Sequence, residues 1–187
     1  MSKFFKSFIL GIVVVSFFVG CGGAKPAPAK KGSVATKNVH GKTVYISSRA
    51  TYSNNVPPNI KAECSIDTQL MTWIQRYAAK RNINVIIDGK PKANDLVLKV
   101  RITDAISAGH AGIGHNKYVV ISGKLYKGKK LKASFKAARR SGGGYFGMYR
   151  SSCSVLGSCV KTLGKDTAYW LENPTNNARL GDTYLIR

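Results

Sequence analysis

Three consecutive segments in which apolar and polar residues alternate constrain this chain most. They are "NDLVLKVRITDAI" (94–106), "KYVVISGKLY" (117–126) and "LKASFKAARR" (131–140). A two-residue period is that of a β-strand with one buried face. In the first segment Leu96, Leu98, Val100 and Ile102 fall on one side, and Val97, Lys99, Arg101 and Thr103 on the other. In the third, Leu131, Phe135 and Ala137 oppose Lys132, Lys136 and Arg140. The Gly-rich "SAGHAGIGHN" and the tight "KGKK" join the three. Hairpin links of this kind predict an antiparallel sheet.

Two segments repeat instead every three to four residues, the period of a helix with one apolar stripe. Ile66, Leu70, Trp73, Ile74 and Tyr77 form one stripe. Leu156, Val160, Leu163, Thr167, Trp170 and Leu171 form the other, within a helix over Ser152–Glu172 that Asn173-Pro174 stops. "GKTVYISS" (41–48) and "INVIID" (83–88) read as further short strands. Pro57-Pro58 reads as loop, and the polar tail closes on a short apolar end with room for one more strand. The expected class is α+β: an antiparallel sheet of four to five strands in the order β-α-β-β-β-β-α. Its two helices pack on one face and leave the other open.

Charge adds a function to that architecture. The 187 residues hold 30 Lys+Arg against 8 Asp+Glu, a net charge of +22. No acidic residue precedes Glu63, and none lies between Asp104 and Asp166. Strict alternation gathers Lys99, Arg101, Lys124, Lys130, Lys132, Lys136 and Arg140 on the open side of the sheet. Such a face attracts anionic partners. A solvated surface that serves only solubility is the plainer reading of the same charge.

The N-terminus sets the compartment. Lys3 and Lys6 precede an apolar run, Phe8–Val19, too short for a comfortable membrane span and of signal-peptide length. The run ends at Phe18-Val19-Gly20-Cys21. This stretch resembles the lipobox of bacterial lipoproteins, with Phe18 where Leu is usual. The resemblance implies cleavage before Cys21 and acylation of Cys21, which anchors the chain in lipid. It also implies residues 1–20 as signal peptide; behind the lipidated cysteine, the Gly, Pro, Ala and Lys of 21–40 read as a flexible tether, and the length of 41–187 fits one α+β domain. Gly22 is not the Asp that marks inner-membrane retention in such families, which implies the periplasmic face of the outer membrane. The rest resembles small envelope lipoproteins of unknown function through "ANDLVLKVRITD", the Gly-rich hairpin, "SGGGYFG" and "VKTLGKDTAYWL". That likeness implies the fold and no catalytic residue.

With Cys21 acylated, Cys64, Cys153 and Cys159 remain, and an exported domain favours disulfides. The expected bridge is Cys153–Cys159, closing a small loop if the second helix begins late. A helix starting at Ser152 instead sets the two about 9 Å apart along its axis and leaves Cys64 to pair with one of them. His110 and His115 share a Gly-rich turn without a carboxylate, so no metal is expected there. "RRSGGGYFGMYR" mixes Arg with aromatics but lacks the Gly-Lys-Ser/Thr of a phosphate loop; a mobile loop is the plain reading and anion contact the sharper one. No G-x-S-x-G, H-E-x-x-H or paired acids occur. The sequence thus points to a non-enzymatic protein without cofactor. Its expected partners are membrane lipid through Cys21 and an anionic lipid, lipopolysaccharide or envelope protein; nucleic acid is not expected. The alternative is a subunit of an envelope assembly that uses a sheet edge.

Overall fold

A computed structural model describes residues 41–110, 114–142 and 150–187. The leader, Cys21 and the tether lie outside the described residues, as do 111–113 and 143–149 of the two Gly-rich segments. The described elements run β1 (Thr43–Ile46), β2 (Thr51–Tyr52), α1 (Pro58–Glu63), α2 (Ile66–Ala79), β3 (Asn84–Ile87), β4 (Leu96–His110), β5 (Gly114–Lys127), β6 (Lys130–Ser141), α3 (Ser152–Glu172) and β7 (Ala178–Gly181). A 3-10 turn follows at Thr183–Leu185.

The class is α+β, but the seven-stranded sheet is mixed rather than antiparallel, in the order β3-β1-β4-β5-β6-β7 with β2 also on β4. The antiparallel core is β4-β5-β6, the three alternating segments. The remaining pairs, β1 with β3, β1 and β2 with β4, and β6 with β7, are parallel. The cause is connectivity. A strand that reaches the next through a helix returns to the same end of the sheet and must run parallel to the first. Helix α2 makes that crossover between β1 and β3, and α3 makes it between β6 and β7.

Two further elements depart from expectation. Pro57-Pro58 does not exclude a helix; Pro58 begins α1, at the first helical position. There its fixed φ suits the helix and its missing N–H would have had no partner anyway. The added strand is β7 at Ala178–Gly181, ahead of the apolar end "YLI" rather than on it.

One face of the sheet packs beneath α2 and α3. Leu98, Val100, Ile102, Val119, Ile121, Leu125, Phe135 and Ala137 face Leu70, Ile74, Leu156, Val160, Leu163 and Leu171, all buried. Each such aliphatic side chain contributes roughly 1.5–3 kcal/mol of hydrophobic stabilisation. The Phe135 ring sits 4.7 Å from Trp170 and fills the space a side chain at Gly123 would need, since a Cβ there would come within 2.1 Å of it.

The two long helices lie side by side and parallel. A Cβ on Gly157 would meet Gln69, and one on Gly164 would stand 2.6 Å from Trp73 Cβ, so glycine permits the close approach. The disulfide joins Cys64 to Cys153, not Cys153 to Cys159. The reason is the early helix start: Ser151 caps α3, accepting from the Ser154 N–H, and both cysteines are then helical. Cys64 ends α1 beside that start, with a Cα separation of 4.9 Å from Cys153. Cys159 remains a free, buried thiol. At the other end of the seam Arg81 pairs with Glu172 at 2.7 Å.

Candidate anion-binding face

The strand alternation that buries one set of residues delivers the other set to the opposite face. Lys99 stands directly across from Lys124, Arg101 across from Ser122, Ser122 across from Lys136, and Tyr118 across from Arg140. Lys136 also pairs with Arg179 of β7, a cation the sequence reading did not place on this face. The side chains of Arg101, Lys124, Lys132 and Arg140 have no hydrogen-bond or ion-pair partner among the described residues. Lys99 Nζ lies 5.4 Å from the Tyr126 ring centroid. Asp104, a carboxylate on this side, is engaged by the Tyr118 hydroxyl at 3.0 Å.

A register shift alters the hairpin end of the face. Leu125 pairs with Ala133 but Tyr126 pairs with Leu131, so Lys132 is the extra residue of a β-bulge. Leu131, expected in the core, is thereby turned out and is 42% exposed. Lys130 pairs with Lys127 and so falls on the helix side of the sheet, at its end, away from the basic residues of the face. A one-residue slip flips every side chain beyond it, and composition carries no sign of where the slip falls.

Adjacent arginines show the division. Arg139 points to the helix side, where Asp166 takes it in a two-pronged pair at 2.7 and 3.0 Å and Asp182 approaches at 3.5 Å. The hydrogen bonds it donates to Asp166 push its pKa up, against the opposing effect of burial. Arg140 points the other way, and only its backbone N–H is engaged, donating to Asp182.

The face is not wholly open. The C-terminal segment folds over part of it, burying Ile186 against Val120 and Ala138. Lys136 Nζ donates to the main-chain oxygen of Arg187 at 2.8 Å, and Arg179 donates to those of Thr183 and Ile186 at 3.1 and 2.8 Å. Beside this strap lies a concavity of about 420 Å³, lined by Ser122, Lys124, Ser134, Lys136, Asn177 and Arg179 together with Gly123, Phe135 and Ala178. Its six polar linings include no carboxylate.

A second hollow, about 510 Å³, lies where α2 and α3 end, among Tyr77, Lys80, Arg81, Asn82, Lys165 and Glu172. Arg81 stacks on Tyr169 at 3.2 Å, and Lys80 and Lys165 sit over Tyr77 and Tyr169. Cations at helix C-termini offset the helix dipole, and here Arg81 is paired with Glu172.

Lys117 escaped the sequence reading as a special residue. It shares the inward side of β5 with Val119 and Ile121 and is fully buried. Its ammonium donates to Ser107 Oγ and to the Ala108 and Gly109 carbonyls, and burial pulls its pKa down. The side chains of His110 and His115 lie outside the described set. Among the described residues no group of three or more His, Cys, Asp or Glu side chains gathers to hold a metal. No described helix is long and apolar enough to cross a membrane.

No family model matches the chain, and no curated protein does. Among solved structures it is similar to a Xanthomonas campestris protein of family-model DUF330, at 11% identity and TM-score 0.48, covering 70% of this chain and 83% of that one. It is also similar to a minor lipoprotein from Acinetobacter baumannii, at 10% identity and TM-score 0.38, covering 70% and 91%. A third is the PelC dodecamer from Paraburkholderia phytofirmans, at 10% identity and TM-score 0.40, covering 67% and 87%.

Proposed function

We propose that this chain is a lipid-anchored envelope lipoprotein that binds an anionic envelope component through the basic face of its sheet, without catalysis. The observation that carries the binding is the one-sided array of Lys99, Arg101, Lys124, Lys136, Arg140 and Arg179, none of which has a side-chain carboxylate partner among the described residues. Apart from Asp104, which Tyr118 engages, acidic residues pair elsewhere: Asp67, Asp166, Asp182 and Glu172 with Arg49, Arg139 and Arg81. The charge of the face is therefore available to a partner rather than neutralised internally. The anchor rests on the Phe18–Cys21 sequence, and Gly22 favours the outer membrane.

Sheet-edge assembly is the weaker reading. The outer strands β3 and β7 are four residues each, and short edges offer few bonds to an added strand. The test is recovery of partners by the lipidated chain from its own envelope at two salt concentrations. Charge-led partners are lost at the higher salt; a partner set indifferent to salt contradicts the reading. In the same preparation Cys21→Ala abolishes lipid labelling and membrane retention, and unchanged labelling removes the anchor.

A further inference from the structure

The basic face carries more than diffuse charge. Two of its cross-strand pairs are cation against cation, Lys99 with Lys124 and Lys136 with Arg179. Like charges directly opposite on one face destabilise a sheet. Between these pairs lies the 420 Å³ concavity, in the lower part of the roughly 300–1,000 Å³ range of small-molecule sites. Its floor sets the hydroxyls of Ser122 and Ser134 beside Gly123, Phe135 and Ala178. The Ser122 side chain has no hydrogen-bond partner among the described residues. Ser134 Oγ meets Asn177 through its backbone N–H at 3.1 Å and its Oδ1 at 3.2 Å. The walls are the long side chains of Lys124, Lys136 and Arg179. Lys124 is unpartnered; Lys136 and Arg179 each spend donors on the C-terminal strap but retain others.

The shape selects the ligand. A bare phosphate leaves most of the volume empty. A nucleotide needs an aromatic plane for its base, and the lining ring, Phe135, is instead buried against Trp170. Serine hydroxyls and an asparagine amide suit sugar hydroxyls, and aliphatic lysine and arginine stems cover the sugar's carbon faces. Three cations without a carboxylate suit the charge density of a phosphate dianion better than a single carboxylate. We infer that this concavity is a binding site for a phosphorylated saccharide. The inference rests on the basic-face reading for the sign of its ligand and adds the ligand's class and seat.

The full chain in a polyoxyethylene detergent is titrated calorimetrically with glucose 6-phosphate, inorganic phosphate, glucose and glucuronate. Glucose 6-phosphate is expected to bind roughly tenfold or more tightly than the other three, the effect of one added charged hydrogen bond. Ser122→Leu fills the floor without changing charge and should lower that affinity at least tenfold. Lys124→Gln should do the same from the wall, and circular dichroism checks that both variants fold. Equal affinities across the four probes, or no effect of either variant, overturns the site. Phosphatidylglycerol vesicles at low salt report the face separately. Retained vesicle binding by Ser122→Leu shows that the site alone was lost, whereas vesicles ignored by the unmodified chain sink the face reading. Phosphatidylcholine vesicles carrying lipid A, a phosphorylated disaccharide, distinguish a membrane source from a soluble one; Ser122-dependent capture of either supports the site.

Discussion

On the helix side of the sheet Arg139 is clasped by Asp166 and Asp182; one residue further, on the other side, the Arg140 guanidinium meets no carboxylate among the described residues. The same contrast holds along β4, β5 and β6. Inward residues are apolar and close-packed, as at Phe135 against Trp170. Outward positions carry the basic residues, interspersed with Ser122, Ser134, Val120 and Ala138, and Lys99 even faces Lys124. The inner face is organised to hold the fold together. The outer face accepts electrostatic cost, which makes sense if the cost is relieved by something bound there.

That contrast is open to direct attack. Phe135→Ala should cost about 3–5 kcal/mol in urea unfolding, through lost packing and a cavity. The neighbouring Lys136→Ala should stay within about 0.5 kcal/mol. Similar costs for the two would erase the distinction between the faces. Removing the α1–α3 bridge with Cys64→Ser and Cys153→Ser together should cost roughly 2–5 kcal/mol, since 89 residues separate the cysteines. A midpoint equal to that of the reduced parent chain, and unchanged from the oxidised one, would show the bridge idle. Gly164→Val should cost roughly 1–3 kcal/mol by forcing α2 from α3; an unchanged melting temperature would mean the seam is loose.

The smallest expected effect is alkaline and also belongs to the inner side. Burial pushes the Cys159 thiol from its ordinary 9.0 up to about 12. Burial, and then the charge of Asp67, pushes Tyr52 from 10.0 up to about 12. The folded chain thus keeps protons that the unfolded chain has released. These two groups therefore leave stability unchanged below about pH 9 and lower it from there toward pH 12. Cys159→Ala and Tyr52→Phe should each flatten part of that decline in urea midpoints measured against pH. A decline untouched by both assigns it to other groups.

Much of the inner face was legible in sequence. All six residues of the α3 stripe are buried, because a 3.6-residue period survives any choice of neighbours. In α2 the stripe was offset: Met71 and Ala78 are buried, while Trp73 and Tyr77 are only partly so, lying at the seam with α3. What alternation does not encode is connectivity and register. Parallel pairing follows from helical crossovers that no single strand announces. The bulge at Lys132, which expelled Leu131 and moved Lys130, depends on the fit of two strands. Of the seven basic positions expected together, strand pairing sets five on the face, Lys132 falls in the bulge, and Arg179 joins from a strand too short to show a period. The disulfide hung on one boundary: whether α3 begins before or after Cys153.

The most direct test of the central claim is binding of the lipidated chain to phosphatidylglycerol vesicles across a salt series. The parent chain is compared with Lys132→Glu, Lys136→Glu and Arg140→Glu combined. The account predicts affinity that falls steeply from low to physiological salt. It also predicts that the reversed chain, folded by circular dichroism, is reduced at low salt to the parent's high-salt level. Binding that ignores both salt and the reversal would contradict it.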